Sequence, residues 1–245
     1  MRIDIVTLFP EMCENLLAES IIGRARSRGH LQVCCHQLRD YGEGVHKRVD
    51  DCTFGGGKGM LLMADPIAKA FDAITEHTGV KPHILYMSPR GRVLNQETVK
   101  ELAKHENLIV LCGHYEGVDS RVLEEYDVEE ISIGDFVLTG GELPAVILTD
   151  AVARMLPGVL SEDVCFEEES HFDGLLEYPQ YTRPAVWRER EVPQVLLSGH
   201  HENVRKWRRA ESLKVTRRMR PDLFQKVELT KEDRRLLEEK PSKKG

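Results

Sequence analysis

Apolar, β-branched runs recur along the chain at residues 3–9, 31–36, 83–87, 108–112 and 128–133. Their length and composition predict buried strands. Helical patterns lie between several of them. Residues 66–74 place Ile67, Ala70, Phe71 and Ile74 at helical spacing. Residues 95–105 open on Asn95 as a helix cap and carry Val99, Leu102 and Ala103 on one face. Residues 118–126 form a short, charged element, and residues 143–156 a strongly apolar one with Val146, Ile147, Ala151, Val152 and Met155. This alternation predicts an α/β fold: a parallel sheet with helices on both faces. The character changes after Leu156. Residues 157–184 are rich in Pro, Gly and Glu with little periodicity, which marks a linker. Helical patterns return at Ser198, a candidate cap, and at Thr230, which pairs with Asp233 in a capping box.

The 245-residue length suits one large domain, or a medium one with a small companion. No apolar run approaches the ~20 residues of a membrane span, and "MRIDIVTLFPEM" lacks the marks of a signal peptide. A soluble, cytoplasmic protein is expected. None of the six cysteines forms a C-x-x-C pair and none of the ten histidines has helical metal spacing, so reduced, mostly buried thiols and no side-chain metal site are expected. Charge divides the chain. Residues 198–245 carry fifteen Lys and Arg against eight Asp and Glu, a net +7, which leaves −14 on residues 1–197 of a chain whose total is −7. An acidic body with a basic C-terminal segment suggests two modules, the second facing an anion. A solvated helical surface reads the same way.

Three glycine-bearing turns follow strand candidates: "YMSPRGR" (86–92), "LCGHYEGVDSR" (111–121) and "SIGDFVLTGGELP" (132–144). Ligands of parallel sheets bind outside the carboxyl ends of the strands, and glycine lets the backbone come close to them. No dinucleotide fingerprint is present. "FGGGKGM" (54–60) fails as a phosphate loop, because Cys52 stands at its first Gly position and Gly59 replaces its Ser/Thr. It reads instead as a glycine loop whose one cation, Lys58, can meet a nucleic-acid phosphate or lie over a cofactor. Backbone-lined pockets read an adenine edge. Glu116 and Asp135 could hold a cationic cofactor there, or could cap helix N-termini.

"LFPEM", "GGGKGM", "SPRG", "CGHYEGVD", "SIGDFVLTGGELPA", "PGVL", "GLLEYPQYTRP" and "LLSGHHENVRKWR" occur in order along almost the whole chain. The set resembles the bacterial tRNA (guanine-N1)-methyltransferase family, TrmD type, of the SPOUT superfamily. The resemblance implies a deep C-terminal trefoil knot in the α/β domain (residues 1–160), a flexible linker (161–184) and a small all-α, basic tRNA-binding domain (185–245). It implies S-adenosylmethionine as cofactor, on positions Tyr86, Met87, Ser88, Pro89, Gly113, Tyr115, Glu116, Gly117, Ser132, Ile133, Gly134, Asp135, Phe136, Val137, Leu138, Gly140, Gly141 and Pro144. It also implies a homodimer with a shared active site, and as acceptor the guanosine at tRNA position 37, next to the anticodon. Mg²⁺ is associated with the family, but the sequence offers no ligand cluster for it.

Methylation at guanine N1 needs a base for the N1 proton and a cation for charge moving onto O6. By resemblance these fall on Glu169 and Arg154. Glu stands where the family is expected to have Asp, and Glu167, Glu168 and Asp173 lie close by. On the residues alone, Arg154 reads as a C-terminal cation favoured by the helix dipole. The linker is expected to order when the tRNA anticodon arm binds. Lys58, Arg183, Arg205, Arg208 and Arg209 are the candidate RNA contacts, while Trp207 reads as a core residue of the helical module. Three rivals remain: a SPOUT enzyme with another acceptor, an RNA binder without turnover, and a nucleotide-binding α/β enzyme.

Overall fold

A computed structural model describes residues 1–56, 59–160, 170–171 and 173–238. The chain divides into two compact units, Met1–Asp163 and Val164–Gly245.

The first unit runs β1 (Arg2–Thr7), α1 (Pro10–Leu17), α2 (Ser20–Ser27), β2 (Gln32–Gln37), a 3-10 turn (Leu38–Tyr41), β3 (Asp50–Cys52), β4 (Met60–Leu62), α3 (Ala64–Thr78), β5 (His83–Val93), α4 (Gln96–Leu102), β6 (Asn107–Cys112), α5 (Ser120–Glu125), β7 (Glu129–Ser132) and α6 (Glu142–Ala153). Five strands make one sheet in the order β2-β1-β6-β5-β7, and every pair is parallel. β3 and β4 form a separate antiparallel hairpin. The period of two along each strand builds the two sides of the core. Ile3, Ile5, Leu85, Leu108 and Val110 face α1, α2, α4 and α6. Val6, Ile84, Ile109 and Leu111 face α3 and α5. The fully buried carboxylate of Asp4 accepts from Arg2 (2.8 Å, twice) and meets His36 Nε2 at 2.7 Å. Burial pushes its pKa up, but these partners outweigh that and hold it below the usual carboxylate value.

Two strands depart from the sequence expectation, each for a local reason. β1 stops at Thr7 because Thr7 Oγ1 accepts the Phe9 N–H (2.9 Å), which turns the chain so that Pro10 can open α1. β5 continues past Met87. It pairs with β7 at Met87↔Ile131 and again at Arg92↔Ile131, so Ser88, Pro89, Arg90 and Gly91 loop out. Gly91 is required by space: a Cβ there would lie 2.4 Å from the Glu130 carbonyl carbon.

The second unit contains β8 (Val186–Trp187), β9 (Arg190–Glu191), α7 (Gln194–Leu197), α8 (His201–Met219), α9 (Pro221–Phe224) and α10 (Lys231–Glu238). It is mainly helical, but β8 and β9 add an antiparallel hairpin that an all-α expectation omits. The Thr230–Asp233 capping box forms as the sequence predicts: Thr230 N–H donates to Asp233 Oδ2 (3.0 Å), and Asp233 N–H donates to Thr230 Oγ1 (3.1 Å). Ser198 does not cap α8. It closes α7, donating to the Val195 carbonyl at 2.7 Å. No helix among the described residues is long and apolar enough to cross a membrane.

Candidate active site

β5, β6 and β7 are neighbours in the sheet and end side by side, so the three glycine-bearing turns that follow them converge. Together they enclose a cavity of about 220 Å³. Tyr86, Met87, Ser88 and Pro89 come from the end of β5 and its bulge. Gly113, Tyr115, Glu116 and Gly117 follow β6, and Ser132, Ile133, Phe136, Val137, Leu138, Gly140, Gly141 and Pro144 follow β7. Gly134 and Asp135 lie outside the lining. Ser132 Oγ accepts from the Gly134 N–H (3.2 Å) and donates to its carbonyl (3.0 Å). That tight turn leaves Asp135 exposed. His114, Ile131 and Thr139 line the cavity although the sequence did not single them out. All three sit within or beside the motifs, so their positions were the available signal.

The walls are held by close backbone approach. Gly141 N–H donates to the Gly113 carbonyl at 2.8 Å, and a Cβ on Gly141 would lie 2.7 Å from Cys112 Cα. Below this crossing, Thr7 Oγ1 donates to the buried Glu142 Oε1 at 2.7 Å, tying the start of α6 to the end of β1. The Tyr86 ring lies under Gly113, whose Cβ would come within 2.8 Å of it, and burial pushes the Tyr86 hydroxyl pKa up. His114 Nδ1 is buried with no partner among the described residues. The glycine loop also reaches the site: Glu116 N–H donates to the Met60 carbonyl (3.1 Å), and Gly59 packs on the Glu116 side chain. Lys58 itself lies outside the described residues.

An apolar slot edged by unclothed backbone suits a flat heteroaromatic group with hydrogen-bonding edges, and Ser88, Ser132 and Glu116 can meet a polar tail. Among the described residues, no three His, Cys, Asp or Glu side chains gather as a metal set.

Residues 1–226 match the model of the family described as tRNA (guanine-1)-methyltransferase TrmD. The chain belongs to that family. A tRNA (guanine-N(1)-)-methyltransferase of Ruminiclostridium cellulolyticum is 57% identical over 227 residues, 93% of this chain and 97% of its own. One from Clostridium perfringens is 51% identical over 98% of this chain and all of its own. One from Alkaliphilus oremlandii is 51% identical over the whole of both chains.

The other residues expected for a TrmD-family site lie outside the cavity lining or outside the described residues. Glu169 lies outside the described residues. Arg154 caps the C-terminus of α6, whereas Gly141 and Pro144 line the cavity at its N-terminal end. At ~1.5 Å rise per residue, those ends are roughly 15–20 Å apart. In the second unit, Arg209 is committed to the fold: it forks onto Asp233 (2.8 and 3.1 Å) and reaches Asp173 (3.2 Å). Arg208 lies 4.9 Å over the Tyr178 ring, and Arg205 pairs with Glu202 (2.9 Å). Arg183 is exposed, as are Arg217 and Arg218. Trp207 is half-buried between Tyr178 and Tyr181.

Proposed function

We propose that this protein transfers a methyl group from S-adenosylmethionine to N1 of the guanosine at position 37 of tRNA, beside the anticodon. The backbone-lined cavity at the ends of β5, β6 and β7, in a chain of this family, carries the reading. Bound there, S-adenosylmethionine supplies an electrophilic methyl group on a sulfonium. The residues present fit it: open backbone at Gly113, Gly140 and Gly141 for close approach, apolar Ile133, Leu138 and Pro144 for a flat base, and the Glu116 carboxylate for a cation. We also propose that the segment after β7 threads through the loop after β6 as a trefoil knot, a rare exception to unknotted chains. The Gly141–Gly113 crossing supports this.

Glu169 takes the N1 proton and Arg154 donates a fork of hydrogen bonds to O6 as charge moves there. Asp173 is occupied by the Leu175 N–H and by Arg209, each at 3.2 Å, which favours Glu169 over it as the base. Because Arg154 and the cavity lie at opposite ends of one helix, the working site combines the cavity of one copy with Arg154 of another. The surface needed for such a homodimer is available. α6 is apolar apart from buried Glu142 and Thr149 and exposed Asp150, and Leu143 and Ile147 on its outer side are exposed. The neighbouring α1 exposes Met12 and Leu16, with Phe9 just before it. The basic second unit holds the anticodon arm through phosphate contacts, with Arg183, Arg217 and Arg218 as exposed cations.

The test is one assay with labelled methyl donor and unmodified tRNA transcripts carrying G or A at position 37. Labelled 1-methylguanosine from the first transcript alone is expected. Label elsewhere, or none despite cofactor binding, would refute the reading.

A further inference from the structure

The β8–β9 hairpin of the second unit projects a largely exposed indole. Trp187 is 57% exposed. The two-residue loop joining the strands, Arg188–Glu189, has both φ angles positive, at 48° and 65°. A turn of that kind ordinarily takes Asn or Gly. Here two side chains tolerate the strained conformation, and it sets the Arg188 guanidinium 4.9 Å over the indole. The cross-strand pair Trp187↔Arg190 puts a second cation on the same face of the hairpin, while the other pair, Val186↔Glu191, turns to the opposite face. Neither Arg188 nor Arg190 forms an ion pair among the described residues. The tryptophan face is therefore cationic and aromatic together. Glu191 turns away and Glu189 sits in the turn without pairing either arginine, and a bare protein-docking patch would not need two such guanidiniums beside its aromatic ring. A nucleobase flanked by phosphates needs both.

We propose that Trp187 is a stacking platform for an unpaired base of the RNA substrate, with Arg188 backing the ring and Arg190 reaching a neighbouring phosphate. The proposal rests on the tRNA-methylating function proposed above and adds a recognition residue to it. The reporter is built in, because the chain has only two tryptophans. In the Trp207→Phe protein, Trp187 emission is titrated with unmodified tRNA, with saturation followed by gel retardation. Strong quenching at saturation is expected. In a second arm, Trp187→Ala should weaken tRNA affinity by about five- to a hundredfold, the range of one base–aromatic stack, with the loss falling on KM rather than kcat. Trp187→Phe should recover most of it. Unchanged emission at saturation, or Trp187→Ala affinity within twofold of wild type, would overturn the proposal. So would a shift of oligomeric state in Trp187→Ala, which would make the hairpin a protein contact. The wild-type protein run alongside separates the two claims. If it binds and methylates the transcript while Trp187→Ala behaves identically, only the hairpin inference fails. If it does neither, the proposed function fails and the inference falls with it.

Discussion

Gly141→Ala tests the cavity wall most directly. The backbone of Gly141 (φ −86°, ψ −3°) is one that alanine adopts freely, so conformation alone predicts a slight stabilisation from reduced freedom of the unfolded chain. Space predicts the opposite. The added Cβ would lie 2.7 Å from Cys112 Cα and from Gly113 N, and 3.1 Å from the Cys112 carbonyl carbon. Ordinary carbon contacts are ~3.5–4.0 Å, so the two segments must part by roughly 0.8 Å. Neither yields easily: Cys112 is buried at the end of a central strand. Overpacking of this kind costs about 1–3 kcal/mol. Stretching the Gly141–Gly113 hydrogen bond costs about 0.5–1.5 kcal/mol more. A loss of about 2–4 kcal/mol in a unit of this size lowers the thermal midpoint by roughly 5–15 °C. Because Gly113 moves too, affinity for S-adenosylhomocysteine should fall by at least about tenfold, the equivalent of ~1.4 kcal/mol. Calorimetry gives both quantities. Gly44→Ala is the control: its φ is +67° with nothing within 4 Å, so it should cost only the ~1–2 kcal/mol of a left-handed residue and leave the cavity unaffected. A Gly141→Ala protein that melts within 2 °C of wild type and binds equally well would refute the argument that this crossing is rigid.

The remaining predictions follow from other contacts. Mixing Arg154→Ala subunits with Gly113→Val subunits, whose side chain meets Tyr86 in the cavity, should restore about a quarter of wild-type activity if each mutant is dead alone, because half the random dimers then hold one intact site. Zero recovery, with exchange proved by mass spectrometry, would place Arg154 in its own subunit's site. Glu169→Gln should lower kcat by roughly 10²–10⁴-fold and Asp173→Asn should not; the reverse pattern in single-turnover assays would make Asp173 the base. The fork from Arg209, despite the opposing effect of burial, holds Asp233 at about 2. An ordinary Asp near 3.9 in the unfolded chain makes this a depressed group, so its stabilisation is present above pH ~4 and lost as pH falls toward ~2. Allowing for solvent screening, it contributes about 1–2 kcal/mol. Urea titrations followed by tryptophan emission, which reports only the second unit, should show Asp233→Asn weaker than wild type at pH 5 with the gap closing by pH 2; a constant gap would show that the contact is not electrostatic.

The five parallel strands were legible because β6 and most of β1 are buried on both faces, which forces continuous apolar runs. α1 and α2 were not. Each is eight residues long with only two buried positions, Cys13 and Leu17 in one and Ile22 and Ala25 in the other. That is too few for a helical period to emerge. The β5 bulge was hidden because it depends on the Ile131 partner, which pairs twice, a tertiary choice with no local sign. Most cavity residues were readable through their motifs, whereas Gly134 and Asp135 share the motif but fall outside the lining, since a motif does not say which way a tight turn points its side chains. Glu142 was missed outright. An acid at the first position of an apolar helix reads as a dipole partner, and nothing nearby in sequence announces Thr7.

A cavity walled by main chain has a consequence for inhibition. Any compound that binds by reading amide edges at Gly113, Gly140 and Gly141 contacts atoms that substitution does not remove, and side chains added there collide with the protein first. Resistance by point mutation is thereby confined to the few lining positions whose side chains face the ligand, such as Ser88, Ile133 and Leu138. Ligands that lean on those side chains invite escape, and ligands that lean on the backbone do not.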